Sequence, residues 1–487
     1  MVFSSVIFLF AFLPAALLGY YLIPARWQLY FLLAANLFFY GWGEPVYILL
    51  MMFSIALNYA GAMLISRFPA KKKPALALTV AANLLLLGYY KYAAFAIGNA
   101  ALLFPQLKAL GAPDILLPVG ISFYTFQCMS YVIDVYRGDV PAQANPFLFG
   151  TYVSLFPQLI AGPIVRYSDV MLEMEHRVVN FAIVSDGIKQ FAVGLAKKLL
   201  LANAMGQMWE SLNGAASAAA GAAAAGGGIG LTGAADSLLG GGNGLVGAWV
   251  GAIAYSFQIY FDFSGYSDMA VGLGKMMGFR FPQNFNYPYI AGSITDFWRR
   301  WHITLSTWFR MYVYIPLGGN RAGPRRQILN LLVVWFLTGL WHGASWNFVV
   351  WGLYFCALLI AEKLFLGRLL DRAPAAVRHL YALFFVVFGW VLFYFTDFSA
   401  LASYAAGMFA WTRAGAFSPD ALRVTLAYLP MLAICAVAAT PLPKALLGRM
   451  APRGRAAWEA AGSIALLALC AAAVTSQSYN PFIYFRF

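Results

Sequence analysis

Asp296 to Arg326 read DFWRRWHITLSTWFRMYVYIPLGGNRAGPRR, and Phe336 to Asn347 read FLTGLWHGASWN. The first stretch carries Arg299, Arg300, Arg310, Arg321, Arg325 and Arg326, with no acid after Asp296. Trp298, Trp301, Leu305 and Trp308 recur at helical spacing, with Arg299, His302 and Ser306 on another face. The spacing predicts an amphipathic helix, with arginines reaching lipid phosphates and tryptophans in the aromatic belt. That picture leaves a histidine at its centre unexplained. In the second stretch His342 ends one apolar run and begins the next. An ionisable group at such depth is a functional candidate by default.

The surrounding sequence supplies the solvent for both. Of 487 residues, 62% are apolar and 10% charged, against about 45–50% and about 25% in soluble domains. A bilayer is the natural environment of such a chain. The 32 Lys and Arg exceed the 18 Asp and Glu, a formal net charge of +14. In a soluble protein this would suggest nucleic acid. Here the excess belongs to loops and the membrane surface, facing lipid headgroups or an anionic substrate, and nucleic acid is not an expected partner.

Spanning candidates begin with Ser5–Ile23 and continue near Gln28, Val46 and Ala75. Later ones lie at 97–111, 116–136, 147–165, 188–206, 245–263, 327–342, 346–366, 378–396, 424–440 and 460–475. With some re-entrant or short, this predicts on the order of eleven spans in a single domain over 1–487. Lys71, Lys72 and Lys73 place their loop in the cytoplasm, so three earlier spans put the amino terminus outside. The breaks Leu117-Pro118-Val119-Gly120 and Ala161-Gly162-Pro163 hint at an internal cavity, because broken helices need cover from protein or water at membrane depth. Residues 214–244 form an Ala/Gly-rich low-complexity loop with no expected chemistry. Cys128, Cys356, Cys435 and Cys470 sit in apolar runs and read as small buried hydrophobes.

Of four histidines, His176 follows Glu173 and Glu175 and reads as solvated, and His379 beside Arg378 as interfacial. His302 and His342 remain. Neutral imidazole can take a proton from a hydroxyl near neutral pH. Gly343, Ala344 and Ser345 leave room for a reactant, with Trp341 and Trp346 as walls. The competing reading of His342 is a hydrogen bond to a carbonyl that holds a helix break. No HxxxH or HxxE spacing is present, so no metal is expected. The block FDFSGYSD at 261–268 reads either as a helix end capped by Ser267 or Asp268, or as a polar cavity wall.

Together these blocks resemble the membrane-bound O-acyltransferase family, in its branch of alginate O-acetylation proteins and teichoic acid D-alanyl transferases. The resemblance spans nearly the whole chain: MVFSS at 1–5, FDFSGYSDMA at 261–270, NFNYPY at 284–289, SITDFWRRWHITLSTWF at 293–309, YIPLGGNR at 314–321, LWHGASWNF at 340–348 and YNPFIYFRF at 479–487. It implies an all-α polytopic fold with re-entrant and amphipathic helices around a central funnel. His342 matches the family's catalytic histidine and His302 the second histidine of this branch. One departure is Met311, where FRDY would place an aspartate.

The implied activity moves acetyl from cytoplasmic acetyl-CoA to an exported polysaccharide outside a bacterial inner membrane, directly or through a partner acetyltransferase. No bound cofactor is implied. Asp296, Trp298, Arg299, Arg300, Asp262, Ser264, Tyr266, Asp268, Trp341 and Asn347 are the expected donor-site or cavity residues. The rival reading is a transporter of a sugar or lipid-linked intermediate that uses the histidines as a proton relay.

Overall fold

The computed structural model describes residues 1–110, 115–213, 243–409, 415–476, 479–480 and 482. Most of the predicted low-complexity loop at 214–244 lies outside them. Among the described residues the chain is helical, with no strand. The helices that build the site are α1 (Phe8–Leu22), α2 (Gln28–Gly43), α3 (Ile48–Arg67), α4 (Pro69–Leu103), α5 (Ile121–Arg137), α6 (Pro146–Ser154), α7 (Tyr167–Glu175) and α8 (Phe181–Ala196). There follow α9 (Leu245–Met276), α10 (Ile294–Arg300), α11 (Ile303–Phe309), α12 (Pro324–His342), α13 (Trp346–Arg372), α14 (Ala375–Tyr394), α15 (Phe398–Phe409), α16 (Pro419–Ala438) and α17 (Pro452–Ser476).

Six of them (α3, α4, α13, α14, α16 and α17) are long and apolar enough to cross a bilayer by length and composition. The predicted figure of eleven is not reproduced by that measure, because other segments are short, broken or studded with polar groups held inside the bundle. The amino-terminal helix α1 is short, and Ser4 meets Asn480 from the far end of the chain, with Asn480 Nδ2 2.9 Å from the Ser4 carbonyl.

Helix directions gather the basic residues at one end. Lys71–Lys73 and Pro324-Arg325-Arg326 start α4 and α12, Arg368 and Arg372 finish α13, and Arg378 lies in the first turn of α14. At the other end lie the turns Gly343–Ser345 and Phe395–Asp397.

Close packing explains several glycines. A Cβ on Gly194 of α8 would stand 2.6 Å from the Gly265 carbonyl oxygen of α9, and one on Gly272 of α9 would stand 2.6 Å from that of Gly187. Small residues at seven-residue spacing let these two backbones touch, the usual way that membrane helices gain contact without a hydrophobic drive. The FDFSGYSD block lies wholly inside the 32-residue α9, so the expected capped helix end is not there. Its carboxylates are neutralised laterally instead, by Lys198 to Asp262 at 2.8 Å and Lys197 to Asp268 at 2.6 Å, from a π-helical turn that continues α8.

Two segments enter from the basic end and turn back. The first is α6 with the turn Phe156–Leu159; Gln143 before it donates to the Tyr167 hydroxyl after it at 2.9 Å, which ties entrance to exit. The predicted span 147–165 is therefore a re-entrant hairpin. The second is α10 and α11. The predicted continuous amphipathic helix is two seven-residue helices broken at His302, whose φ is +45°. Trp298, Trp301 and Trp308 are 9%, 3% and 5% exposed, so the expected aromatic belt is instead interior packing. The break sends them to different partners: Trp298 to Trp335 and Phe355, Trp301 to Trp390, and Trp308 onto Phe126. Residue spacing could not reveal a chain reversal that tertiary contacts impose. The hairpin tips meet where the Ile164 N–H donates to Thr304 Oγ1 at 3.0 Å.

Candidate active site

His302 occupies the tip of the second hairpin and is 1% exposed. Asn284 holds it. Its Oδ1 lies 3.1 Å from His302 Nδ1, 2.9 Å from Thr304 Oγ1 and 3.3 Å from the Thr304 N–H. A backbone N–H can only donate, so it fixes the amide orientation, and the oxygen facing His302 requires hydrogen on Nδ1. The lone pair then sits on Nε2, which is buried and has no hydrogen-bond partner. The Asn284 amide donates to Ser267 Oγ at 3.1 Å.

His342 ends α12, with its ring 4.9 Å from Trp351 and 5.3 Å from Phe393. A chain of three rings connects the histidines: Trp341 lies 5.8 Å from His302 and 5.0 Å from His342 between centroids. His342 Nδ1 and the indole nitrogens of Trp341 and Trp351 are also buried without partners. Buried polar atoms are normally satisfied, so these four unpartnered atoms around the two histidines make the spot a candidate binding place. The competing reading of His342, a ring bonded to a carbonyl, finds no such bond at Nδ1.

The last turn of α12 is clamped by α4. A π-helical turn, Gly88–Tyr92, swings Lys91 and Tyr92 toward it. Lys91 Nζ donates to the Trp341 carbonyl and to Ser122 Oγ, and the Tyr92 hydroxyl donates to the Leu340 carbonyl at 2.7 Å. These are carbonyls that a helix end leaves without internal partners. A cavity of about 70 Å³ abuts His342 and Trp341, walled by Lys91 and by Leu117 to Phe123. The broken Leu117–Gly120 segment thus lines a cavity, as its sequence hinted; Gly120 has φ +79°, and a Cβ there would stand 2.7 Å from the Leu159 carbonyl oxygen. Lys91 and Leu117 are shared with a second cavity of about 280 Å³, which includes Tyr89, Tyr90, Gly343, Ser345 and Thr396. Both open away from the basic end.

The other expected residues distribute unevenly. Trp341 lines the first cavity, whereas Trp346 is half exposed and donates to Asn99. Asn347 donates to the Phe393 carbonyl at 3.1 Å, bracing a wall of His342. Asp296, Arg299 and Arg300 lie on α10 toward the basic end: Arg300 pairs with Asp296 at 2.9 Å, and Arg299 is exposed. Glu362 anchors that helix start, accepting from the Ile294 and Thr295 N–H groups. Asp262, Ser264, Tyr266 and Asp268 line neither cavity; Tyr266 stacks on Phe3 at 4.5 Å. Beside Met311, Tyr312 donates to Asp134 at 2.8 Å. His176 is exposed, His379 Nδ1 lies 3.2 Å from the Ala291 carbonyl, and all four cysteines are buried and free. Sequence reading passed over Lys91 and Asn284. A lone lysine deep in an apolar run was a usable signal, while Asn284 was marked only as the first residue of the NFNYPY block.

Residues 242–405 match the model of the MBOAT, membrane-bound O-acyltransferase family. A protein of Azotobacter vinelandii named "Probable alginate O-acetylase AlgI" is 37% identical over 528 aligned positions, covering 100% of both chains. The chain belongs to the membrane-bound O-acyltransferase family. It is accordingly a multi-pass membrane O-acyltransferase of the alginate O-acetylation branch. The Pseudomonas putida protein of the same name is 38% identical, again over 100% of both chains. A peptidoglycan O-acetyltransferase of Helicobacter pylori is 36% identical over 72% of this chain and 68% of its own. The three linked rings of His302, Trp341 and His342 lie between the arginine-bearing hairpin and the opposite-facing cavities.

Proposed function

We propose that this protein transfers acetyl from cytoplasmic acetyl-CoA to an exported polysaccharide of the alginate kind, from a bacterial inner membrane with the amino terminus outside. The observation that carries the reading is the pair of imidazoles joined through Trp341. One stands at the tip of a hairpin rising from the basic end, the other beside a cavity facing the opposite way. The positive-inside rule makes the basic end cytoplasmic.

Acetyl-CoA is a polyanion that cannot enter the bilayer. Arg299 and Arg300 hold its phosphates by charge-assisted bonds, and the thioester extends along the hairpin toward His302. His342 takes the proton of an acceptor hydroxyl arriving through the outer cavities. The hydroxyl oxygen bonds to the acetyl carbon, the carbon–sulfur bond breaks, and the proton passes to the departing thiolate, giving the acetyl ester and free coenzyme A. The indole N–H groups of Trp341 and Trp351 are the nearest candidates for stabilising the oxyanion. The hydroxyl belongs to the sugar, or to a serine of an extracytoplasmic partner acetyltransferase that passes the group on. The names of the relatives support the acetyl group and the polysaccharide.

The test is His342→Ala. Polysaccharide acetylation and transfer of labelled acetyl from acetyl-CoA should fall by at least about 10²-fold, with membrane insertion retained. Normal acetylation by that variant would end the catalytic assignment.

A further inference from the structure

Lys91 is the cation nearest in sequence contact to His342, since it binds the carbonyl of the residue before it, yet the acyl-transfer chemistry above does not use it. Its surroundings are unusual for a lysine. It is half-buried, shared by both cavities, and hydrogen-bonded to two neutral oxygens, the Trp341 carbonyl and Ser122 Oγ, with the Trp341 ring centroid 5.8 Å from its Nζ. Among the described residues it forms no ion pair. At the mouth, Asp397 spends its carboxylate on the Ser399 hydroxyl and the Ala400 N–H of α15. A helix end needs only a hydrogen-bond donor, and Tyr92 already supplies one a residue away. Burying an ammonium without a counter-charge costs free energy that an incoming anion recovers. An ammonium has three donors, and two of them meet the wall at the Trp341 carbonyl and Ser122 Oγ.

We infer that Lys91 is the acceptor-recognition residue, binding the carboxylate of a uronate sugar ring while that ring presents its hydroxyl to His342. This rests on the acyl-transfer reading in the form in which the sugar itself is the acceptor, and adds the charge of that acceptor to it. The cavity geometry favours a sugar carboxylate. The space past Lys91 is small, about 70 Å³, which suits an anion and a hydroxyl carried on one ring or on neighbouring rings. The wider cavity outside it offers Tyr89, Tyr90 and Phe348 as flat faces and Ser345 and Thr396 as polar edges, a lining suited to pyranose rings. Lys91 thereby couples specificity to catalysis, because the carbonyl it grips is part of the turn that ends in His342.

The experiment measures binding of alginate oligouronides, and of the same oligosaccharides after reduction of their carboxyls to alcohols, to the full-length protein in detergent. Wild type should prefer the acidic form by about ten- to a hundred-fold, the range of one charge-assisted bond. Lys91→Met should lose the preference while binding the reduced form as wild type does, and Lys91→Arg should keep part of it. Absence of preference in wild type, or its persistence in Lys91→Met, overturns the inference. Equal competition by glycerol phosphate also overturns it, by making the site a general anion site. Because the readout is binding, it stands apart from acyl transfer: failure of acetyl-CoA turnover would strike the proposed function and leave this result interpretable. In turnover, loss of the grip on the Trp341 carbonyl lowers kcat on acidic and neutral acceptors alike, whereas loss of recognition raises KM for the acidic acceptor alone, so the KM difference between the two acceptors is the readout that a merely structural Lys91 would not move.

Discussion

Asn284→Ala tests whether His302 takes part in the reaction through one defined tautomer. The substitution removes an oxygen that accepts from His302 Nδ1, Thr304 Oγ1 and the Thr304 N–H, and an amide that donates to Ser267. At about 1 kcal/mol for each of these buried bonds the gross loss is about 4 kcal/mol. A water in the vacated space would restore roughly half, leaving a net destabilisation of about 2 kcal/mol. The functional loss has a separate source. The Nδ1–H bond holds the lone pair on Nε2 with about 1–2 kcal/mol, so its removal lowers the correctly protonated, correctly turned population by about five- to thirty-fold. Thermal unfolding in detergent and labelled-acetyl transfer by the same preparation read the two effects separately. Thr304→Val is the control. It removes the Thr304 hydroxyl from Asn284 and from the Ile164 N–H but leaves His302 bonded, so it should cost stability and keep turnover within about three-fold of wild type. Turnover by Asn284→Ala within two-fold of wild type, in folded protein, would refute the argument that a fixed His302 lone pair is used.

Replacing Arg299 and Arg300 together by alanine should raise the apparent KM for acetyl-CoA by about ten-fold or more and change the acceptor KM little; unchanged coenzyme A binding would remove the donor site from α10. Gly265→Leu should prevent accumulation of folded protein, since even a Cβ would stand 2.7 Å from the Gly194 carbonyl oxygen; a monodisperse variant with normal thermal unfolding by size-exclusion chromatography would show that α8 and α9 can part without loss.

The resemblance at the level of motifs carried the family, and composition alone carried the membrane. What misled was periodicity over short range. The tryptophans of 298–308 scan as one helical stripe, yet the chain turns back at His302, and its left-handed backbone there is held by Asn284 and by the packing of three tryptophans on three different walls. The FDFSGYSD block scans as a helix end because two acids interrupt an apolar run. The acids are instead absorbed mid-helix by Lys197 and Lys198, which the sequence places more than sixty positions away.

By itself, then, the sequence determined solvent, class and the two candidate imidazoles. Apolar excess admits only a bilayer, and a histidine embedded in such sequence is too costly to be incidental. Only the tertiary structure decided that His302 and His342 are bridged by one indole, which nitrogen of His302 is free, and that Lys91 from α4 reaches the turn that ends in His342. The physical reason is that these relations depend on re-entrant hairpins and helix crossings. Their geometry is set by backbone contact between small residues and by hydrogen bonds across hundreds of positions, and neither leaves a local pattern in the chain.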